Sequence, residues 1–223
     1  MTQNPATTPD IPVPANRPLV GVFWMLVTGA CFIGVTALVK YMGPRLPSAE
    51  AAFLRYAMGL VFVLPILRSL LSTPVSKRQW GLFGLRGFFH AGGVILWFYA
   101  MTRLPIAEVT AMNYLAPIYV TVGAAIFLGE KLAARRIVAV CLGLAGAAII
   151  LRPGFREVST GHLAMLLAAV VFAGSYLLAK VLADEARPVM IVTMLSIFVT
   201  IGLAPFAFTV WITPTAQELL ILA

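Results

Sequence analysis

Charge is scarce in this 223-residue sequence: 11% of its residues are Asp, Glu, Lys or Arg, and eight are acidic. An ordinary soluble domain carries about a quarter charged residues. In place of charge the chain is 61% hydrophobic, with a mean hydropathy of +0.97. So few charges cannot solvate a globular surface, and the composition reads as a membrane protein with the lipid bilayer as its partner. The shortage of acid leaves a formal net charge of +8. The bases nevertheless stand singly or in pairs between apolar runs instead of forming a patch, so they read as loop charges that orient helices, and no nucleic-acid partner is expected.

Cysteine and histidine are equally sparse, at two residues each. Cys31 and Cys141 fall inside apolar runs, which fits small packing residues and not a disulfide scaffold. His90 and His162 are far apart, with no acidic or thiol neighbour at metal-ligand spacing, so no metal site is expected. The patterns GxxxxGK[ST], GxSxG and HExxH are all absent. Nucleotide hydrolysis, acyl transfer and zinc proteolysis are thereby excluded; the chain does not read as an enzyme and needs no cofactor.

The first 17 residues, MTQNPATTPDIPVPANR, hold four prolines and no apolar run, and read as a disordered cytoplasmic tail. They lack the basic start and short apolar core of a cleaved signal, so the first hydrophobic segment is a retained span.

An apolar run of about 20 residues crosses the roughly 30 Å hydrocarbon layer as a helix. Such runs lie at 19–41, 49–67, 80–101, 107–128, 133–151, 161–182 and 188–210, separated by GPRLP, STPVSKR, TRLP, GEKLAARR, RPGFREVSTG and ADEARP. The fold class is an all-α polytopic membrane protein with seven helices and the start of an eighth. Nine bases (Arg17, Arg68, Lys77, Arg78, Lys131, Arg135, Arg136, Lys180, Arg187) fall on one side of the membrane, and five (Lys40, Arg45, Arg103, Arg152, Arg156) on the other. The positive-inside rule then places the N-terminus in the cytoplasm of a multi-pass inner-membrane protein.

The stretch GHLAMLLAAVVFAGSYLLAK (161–180) aligns without a gap on GVFWMLVTGACFIGVTALVK (21–40), with identities at 7 of 20 positions that include Lys40/Lys180. At the same offset of 140, Pro65 meets Pro205 and Thr73-Pro74 meets Thr213-Pro214. The first and sixth spans are an odd number of crossings apart, so the two copies enter the membrane from opposite sides. Inverted repeats of this kind are a hallmark of secondary transporters, whose halves rock about a midplane site. Residues 18–152 form the first five-helix repeat and 160–223 an incomplete second one, and a full second repeat is expected to end near residue 291.

A polar residue within a span is expensive, about 2.5–3.5 kcal/mol for a central Arg on insertion scales, so each should face protein or a watery cavity. In the third span Arg86 and His90 share a face that Gly93 and Trp97 continue. In the fourth, Asn113, Tyr114 and Pro117 cluster; Pro117 cannot donate to the Asn113 carbonyl and should kink the helix. Trp24 and Thr28 in the first span, and Ser175 and Tyr176 in the sixth, are further polar or aromatic positions of the duplicated helix, and read mainly as helix contacts. Arg55 reads as a residue that fixes a helix interface or reaches the outer interface, and Glu108 as a favourable charge on a helix N-terminus.

The duplication, the Arg in AAFLRYAMGLVFVLP, the block LRGFFHAGGVILWFYAMTRLPIAEVTAMNYLAPIYV, and FLGEK followed by LRPG together resemble the EamA-type ten-helix carriers of the drug/metabolite transporter superfamily. The resemblance covers residues 18–223. It implies a central cavity formed by helices 1, 3 and 4 with their second-half counterparts, near which Trp24, Thr28, Arg86, His90, Trp97, Asn113, Tyr114 and Tyr176 would lie. The expected function is secondary transport of a small polar metabolite, amino-acid-like or anionic, by alternating access. A multidrug exporter ranks below this because the first and sixth spans carry no Asp or Glu; a non-transporting membrane fragment is the third reading. The length expectation has a direct check: the genomic DNA past codon 223 should continue in frame for about 70 codons, the count that the 140-residue offset sets, and an immediate stop codon would refute it.

Overall fold

The computed structural model describes residues 18–43, 45–71, 74–131, 133–151 and 158–222. The described residues form α1 (Pro18–Met42), α2 (Ser48–Leu71), α3 (Lys77–Met101), α4 (Ile106–Asn113), α5 (Leu115–Phe127), α6 (Ala134–Leu151), α7 (Thr160–Ala183), α8 (Pro188–Thr209) and α9 (Ala216–Leu222), with no strand among them. The all-α polytopic membrane fold expected from composition is therefore the one found. Among the described residues, five segments are long and apolar enough to cross a membrane: Leu19–Met42, Lys77–Met101, Ile106–Phe127, Thr160–Ala183 and Pro188–Thr209. α2 and α6 are helices at the positions of the expected second and fifth spans but are not among these five, and α9 begins where an eighth helix was expected. The tail 1–17, Thr73, and Arg152 and Arg156 lie outside the described residues.

Local sequence explains the breaks. α1 ends on Gly43, whose φ of +76° suits a residue without Cβ, and whose N–H returns to the Lys40 carbonyl at 3.1 Å. α3 opens with a capping box: Ser76 Oγ accepts the Gln79 N–H at 3.2 Å and Gln79 Oε1 accepts the Ser76 N–H at 2.9 Å. α9 repeats the device, the Thr215 N–H donating to Glu218 Oε2 at 2.7 Å and the Glu218 N–H to Thr215 Oγ1 at 3.3 Å. The kink expected from Pro117 is realised as the break between α4 and α5 at Tyr114, whose N–H turns to the Ala111 carbonyl at 3.2 Å. The restart puts Pro117 in the first turn of α5, where a missing N–H costs no hydrogen bond.

The chain divides into a unit up to Val35 and a second unit, Thr36–Ala223; the packing described next is within the second. α2 and α8 run antiparallel. At one end the buried Glu50 accepts the Ile212 N–H at 2.9 Å, and Phe53 lies against Phe208 with ring centroids 5.5 Å apart. α3 and α7 also run antiparallel: Tyr99 donates to Thr160 Oγ1 at 3.3 Å at one end, while Phe83 and Leu182 share an apolar cluster with Met190, Ile191 and Met194 of α8 at the other. α3 is the central helix, buried along a continuous face from Phe83 to Met101. It approaches α8 so closely that a Cβ on Gly87 would stand 2.3 Å from Phe198 Cβ and 3.3 Å from its backbone. Small residues at a membrane helix crossing let backbones meet in this way.

Ion pairs gather at the span ends. Arg45 pairs with Glu218, Arg78 with Glu185, and Lys180 and Arg136 both with Glu130. The side-chain hydrogen bond from Arg45, followed by the Thr215 backbone N–H, holds the Glu218 carboxyl down at about 2, so it stays ionised at physiological pH. The bonds from Lys180 and Arg136 likewise hold the Glu130 carboxyl below its ordinary range.

The tight crossing makes a sharp comparison. Gly87→Ala should destabilise the protein by about 1–3 kcal/mol, the usual effect of overpacking against atoms that cannot retreat. Gly59→Ala, at a helical position with nothing within 4 Å of the new methyl, should be neutral or stabilising by up to about 1 kcal/mol. Thermal unfolding of the two purified variants in detergent checks the contrast.

Candidate functional site

The polar side chains of the bundle meet near its middle. His90 is the fourteenth of the 25 residues of α3, Tyr56 lies on α2, and Phe172, Ser175 and Tyr176 lie on α7. Hydrocarbon offers a polar group no partner, so each of these must find one on a neighbouring helix. His90 Nε2 is 2.9 Å from the Tyr56 hydroxyl and Nδ1 is 3.2 Å from Ser175 Oγ. Its ring stands edge-on to Tyr56, Phe172 and Tyr176, with centroids 6.1, 5.0 and 6.3 Å away. Phe172 and Tyr176 stack with an interplanar angle of 20°. The imidazole is thus ringed by three aromatic faces and bonded at both nitrogens, a knot of α2, α3 and α7. Either hydroxyl can donate or accept, so the ring can hold its proton on either nitrogen.

One turn before His90, Arg86 is 6% exposed and gives one guanidinium N–H to the Ile191 carbonyl of α8 at 2.8 Å. Its Nε is buried with no hydrogen-bond partner among the described residues. Arg86 is nine residues into α3, about 14 Å at 1.5 Å per residue. It is therefore held by a helix and does not reach for the interface. Two turns after His90 on the same face, Trp97 is 5% exposed, with its ring 5.3 Å from that of Phe98. Between them Gly93 faces the Phe172 ring, which a Cβ would approach to 2.8 Å.

Of the residues expected from sequence, the structure brings Arg86, His90 and Trp97 onto one buried face of α3 and sets Tyr176 against His90. Asn113, Tyr114 and Pro117 stand apart at the α4–α5 break: Asn113 is half-buried, Tyr114 is 56% exposed and Pro117 is exposed. Thr121 donates to the Pro117 carbonyl at 2.8 Å, a bond internal to α5. Trp24 and Thr28 belong to the unit ending at Val35, where Thr28 Oγ1 donates to the Trp24 carbonyl at 2.8 Å. Ser175, read from sequence as a helix contact, is one: it is fully buried and bonded to His90.

Two partners escaped the sequence reading. Tyr56 stands next to Arg55 in an apolar span, and that juxtaposition of a hydroxyl with a cation was its one signal. Glu108 is more than a helix-terminal charge: it is 4% exposed and its Oε2 is 3.1 Å from His162 Nε2. The Ser159 N–H donates to His162 Nδ1 at 3.1 Å, so Nδ1 is an acceptor and the proton of the neutral ring sits on Nε2, facing Glu108. His162 thereby caps α7 and ties it to α4.

The two hydroxyls of the knot should be coupled. With one partner removed, the imidazole can still give its N–H to the other; with both removed it is a buried polar ring with none. Tyr56→Phe and Ser175→Ala should each cost about 0.5–1.5 kcal/mol of stability, and the double variant more than their sum. Additive losses in chemical unfolding of the detergent-solubilised protein would refute the coupling.

Comparison with known proteins agrees with this architecture. The EamA-like transporter family matches residues 19–152. A riboflavin transporter of Vibrio cholerae is 31% identical over 211 residues, 93% of this chain and 71% of that protein. An S-adenosylmethionine uptake transporter of Rickettsia bellii is 26% identical over 91% of this chain and 70% of that protein. This chain thus spans about seven tenths of the length of these relatives. A solved crystal structure superposes with a TM-score of 0.61 at 22% identity, covering 87% of this chain and 70% of that one, a likeness of fold. The chain is a polytopic membrane protein of the EamA-like transporter family, a family of small-metabolite carriers and not of enzymes.

Proposed function

We propose that the protein is a secondary transporter that moves a small polar metabolite across the bacterial inner membrane by alternating access. In this reading residues 18–152 and 160–223 are inverted repeats, the second incomplete, and the N-terminus is cytoplasmic. The observation that carries the proposal is the knot itself: Tyr56 and His90 from the first repeat meet Phe172, Ser175 and Tyr176 from the second, with Arg86 one turn from His90 and bonded to Ile191 of the second. A polar and aromatic cluster shared by both halves near mid-membrane is where a rocking transporter holds its substrate.

Each group has a role that its chemistry suits. Arg86 supplies positive potential and a free donor to an anionic or hydrogen-bonding group of the substrate. The faces of Tyr176 and Trp97 take up flat apolar surface, and His90 presents a donor or an acceptor according to its tautomer. Asn113, Tyr114 and Pro117 complete the proposed path as a second wall. The relatives named for riboflavin and for S-adenosylmethionine support a polar metabolite over a hydrophobic drug. Amino-acid-like and anionic compounds are tested beside those two.

Uptake and efflux of labelled riboflavin, S-adenosylmethionine and a panel of amino acids and organic anions, measured in cells expressing the chain, test the proposal. One member of the panel should move at least tenfold faster than in cells with the empty vector, and Arg86→Ala or Asn113→Ala should lower that flux by tenfold or more, the order expected when a substrate-positioning contact is lost. Wild-type flux in both variants would overturn the site assignment. Resistance to toxic cations without metabolite flux would overturn the substrate class in favour of drug export.

A further inference from the structure

Four charged residues at the bundle's ends obey the same 140-residue spacing as the helices. Arg45 lies three residues before α2 and Glu185, 140 positions on, three before α8. Arg78 lies in the first turn of α3 and Glu218, again 140 positions on, in the first turn of α9. The observed ion pairs are Arg45–Glu218 and Arg78–Glu185. Shifting both members of the first pair by the repeat therefore generates the second. Each pair joins one repeat to the other, and each is held in the same way, with the capped first turn of a third helix gripping the approach to a second helix. Arg45 Nε donates to Glu218 Oε1 at 2.7 Å and its Nη2 to the Thr213 carbonyl at 3.3 Å. At the other site Gln79 Nε2 reinforces the grip by donating to the Glu185 carbonyl at 3.0 Å.

The polarity carries further information. The first repeat supplies arginine at both sites and the second supplies glutamate at both. Two identical repeats could not do this, because an arginine at 45 and at 78 in each copy would set like charges against each other at both ends. The repeats have diverged into a positive and a negative member, which favours pairing across the repeats. α2 and α8 run antiparallel, so the two pairs sit at opposite ends of that helix pair and hence at opposite membrane faces. The Arg45 side chain is 45% exposed and that of Arg78 64%, and ion pairs with one partner this open to water are weak enough to break and re-form.

We infer that Arg45–Glu218 and Arg78–Glu185 are a matched pair of latches, one at each mouth of the bundle, and that opening toward either face breaks that face's pair while the other stays closed. This rests on the alternating-access reading above. The experiment is accessibility of a Ser175→Cys reporter, made with Cys31→Ser and Cys141→Ser, to a membrane-impermeant thiol reagent added to sealed vesicles of either orientation. Arg45→Ala should raise labelling from the Arg45 face three- to fivefold relative to the other face, equivalent to about 0.6–1 kcal/mol at RT ≈ 0.59 kcal/mol. Arg78→Ala should shift the ratio in the opposite sense. The swap Arg45→Glu with Glu218→Arg should restore the starting ratio, whereas Arg45→Glu with Glu185→Arg should not. As a check independent of charge, an oxidised Arg45→Cys/Glu218→Cys pair should suppress labelling from the Arg45 face.

Equal changes at both faces, no change in either alanine variant, or failure of the matched swap in protein that inserts normally would overturn the inference. The outcome separates from that of the transport proposal. Ratios that shift as expected without metabolite flux keep the latches and discard the substrate, and metabolite flux with unmoved ratios does the reverse.

Discussion

Everything in this structure follows from the absence of a hydrogen-bond partner in hydrocarbon. A bundle this apolar gains little from burying one apolar helix face on another, because lipid tails serve as well. Polar groups and close backbone contact therefore decide which helices meet. His90 can be accommodated at mid-span only if another helix answers each ring nitrogen, and Tyr56 and Ser175 do so from α2 and α7. Arg86 finds its answer in a carbonyl of α8. Two residues one turn apart on α3 thus fix α2, α7 and α8 about a single axis. Glycines at 87 and 93 let the neighbouring helices come close enough for those bonds to form.

The same constraint acts differently at the ends of the helices, where water is available and charge is cheap. The ion pairs there are partly exposed and contribute little singly, but their arrangement carries register. Arg45 meets the start of α9, and Lys180 meets Glu130 between α5 and α6, so these two loops have defined opposites.

Span boundaries were legible because a membrane imposes a length as well as a pattern. The expected runs 161–182 and 188–210 differ by at most one residue at any end from α7 (Thr160–Ala183) and α8 (Pro188–Thr209). The kink at Pro117 was legible for the same reason, since a missing N–H has a fixed geometric consequence. The buried face of α3 could be read from residues four apart. What pairs with that face could not: Tyr56 and Ser175 are 34 and 85 residues from His90, and nothing in a single sequence encodes that distance. Glu108 and His162 illustrate the limit, being 54 residues apart and unremarkable until the fold joins them. Asn113 and Tyr114 stand apart from the knot; periodicity gives a face of one helix and says nothing of the rotation of that helix about its own axis.

The internal repeat supplied some of the long-range information that single positions lacked. An offset shared by two segments says that their surroundings correspond, so a contact between repeats implies a second contact with the roles exchanged. Arg45–Glu218 and Arg78–Glu185 satisfy that rule residue for residue, and Pro65 and Pro205 both lie inside their helices, α2 and α8, as the rule requires. The knot does not satisfy it. The position equivalent to Ser175 is Val35 and that equivalent to Tyr56 is Ser196, and Ser196 is bonded to the Val192 carbonyl of its own helix. The pairing is therefore repeated at the two ends of the α2–α8 pair and lost at the centre. Such a division would suit the proposed transport: two ends that operate alike, and a site that fits a solute with no two-fold axis of its own.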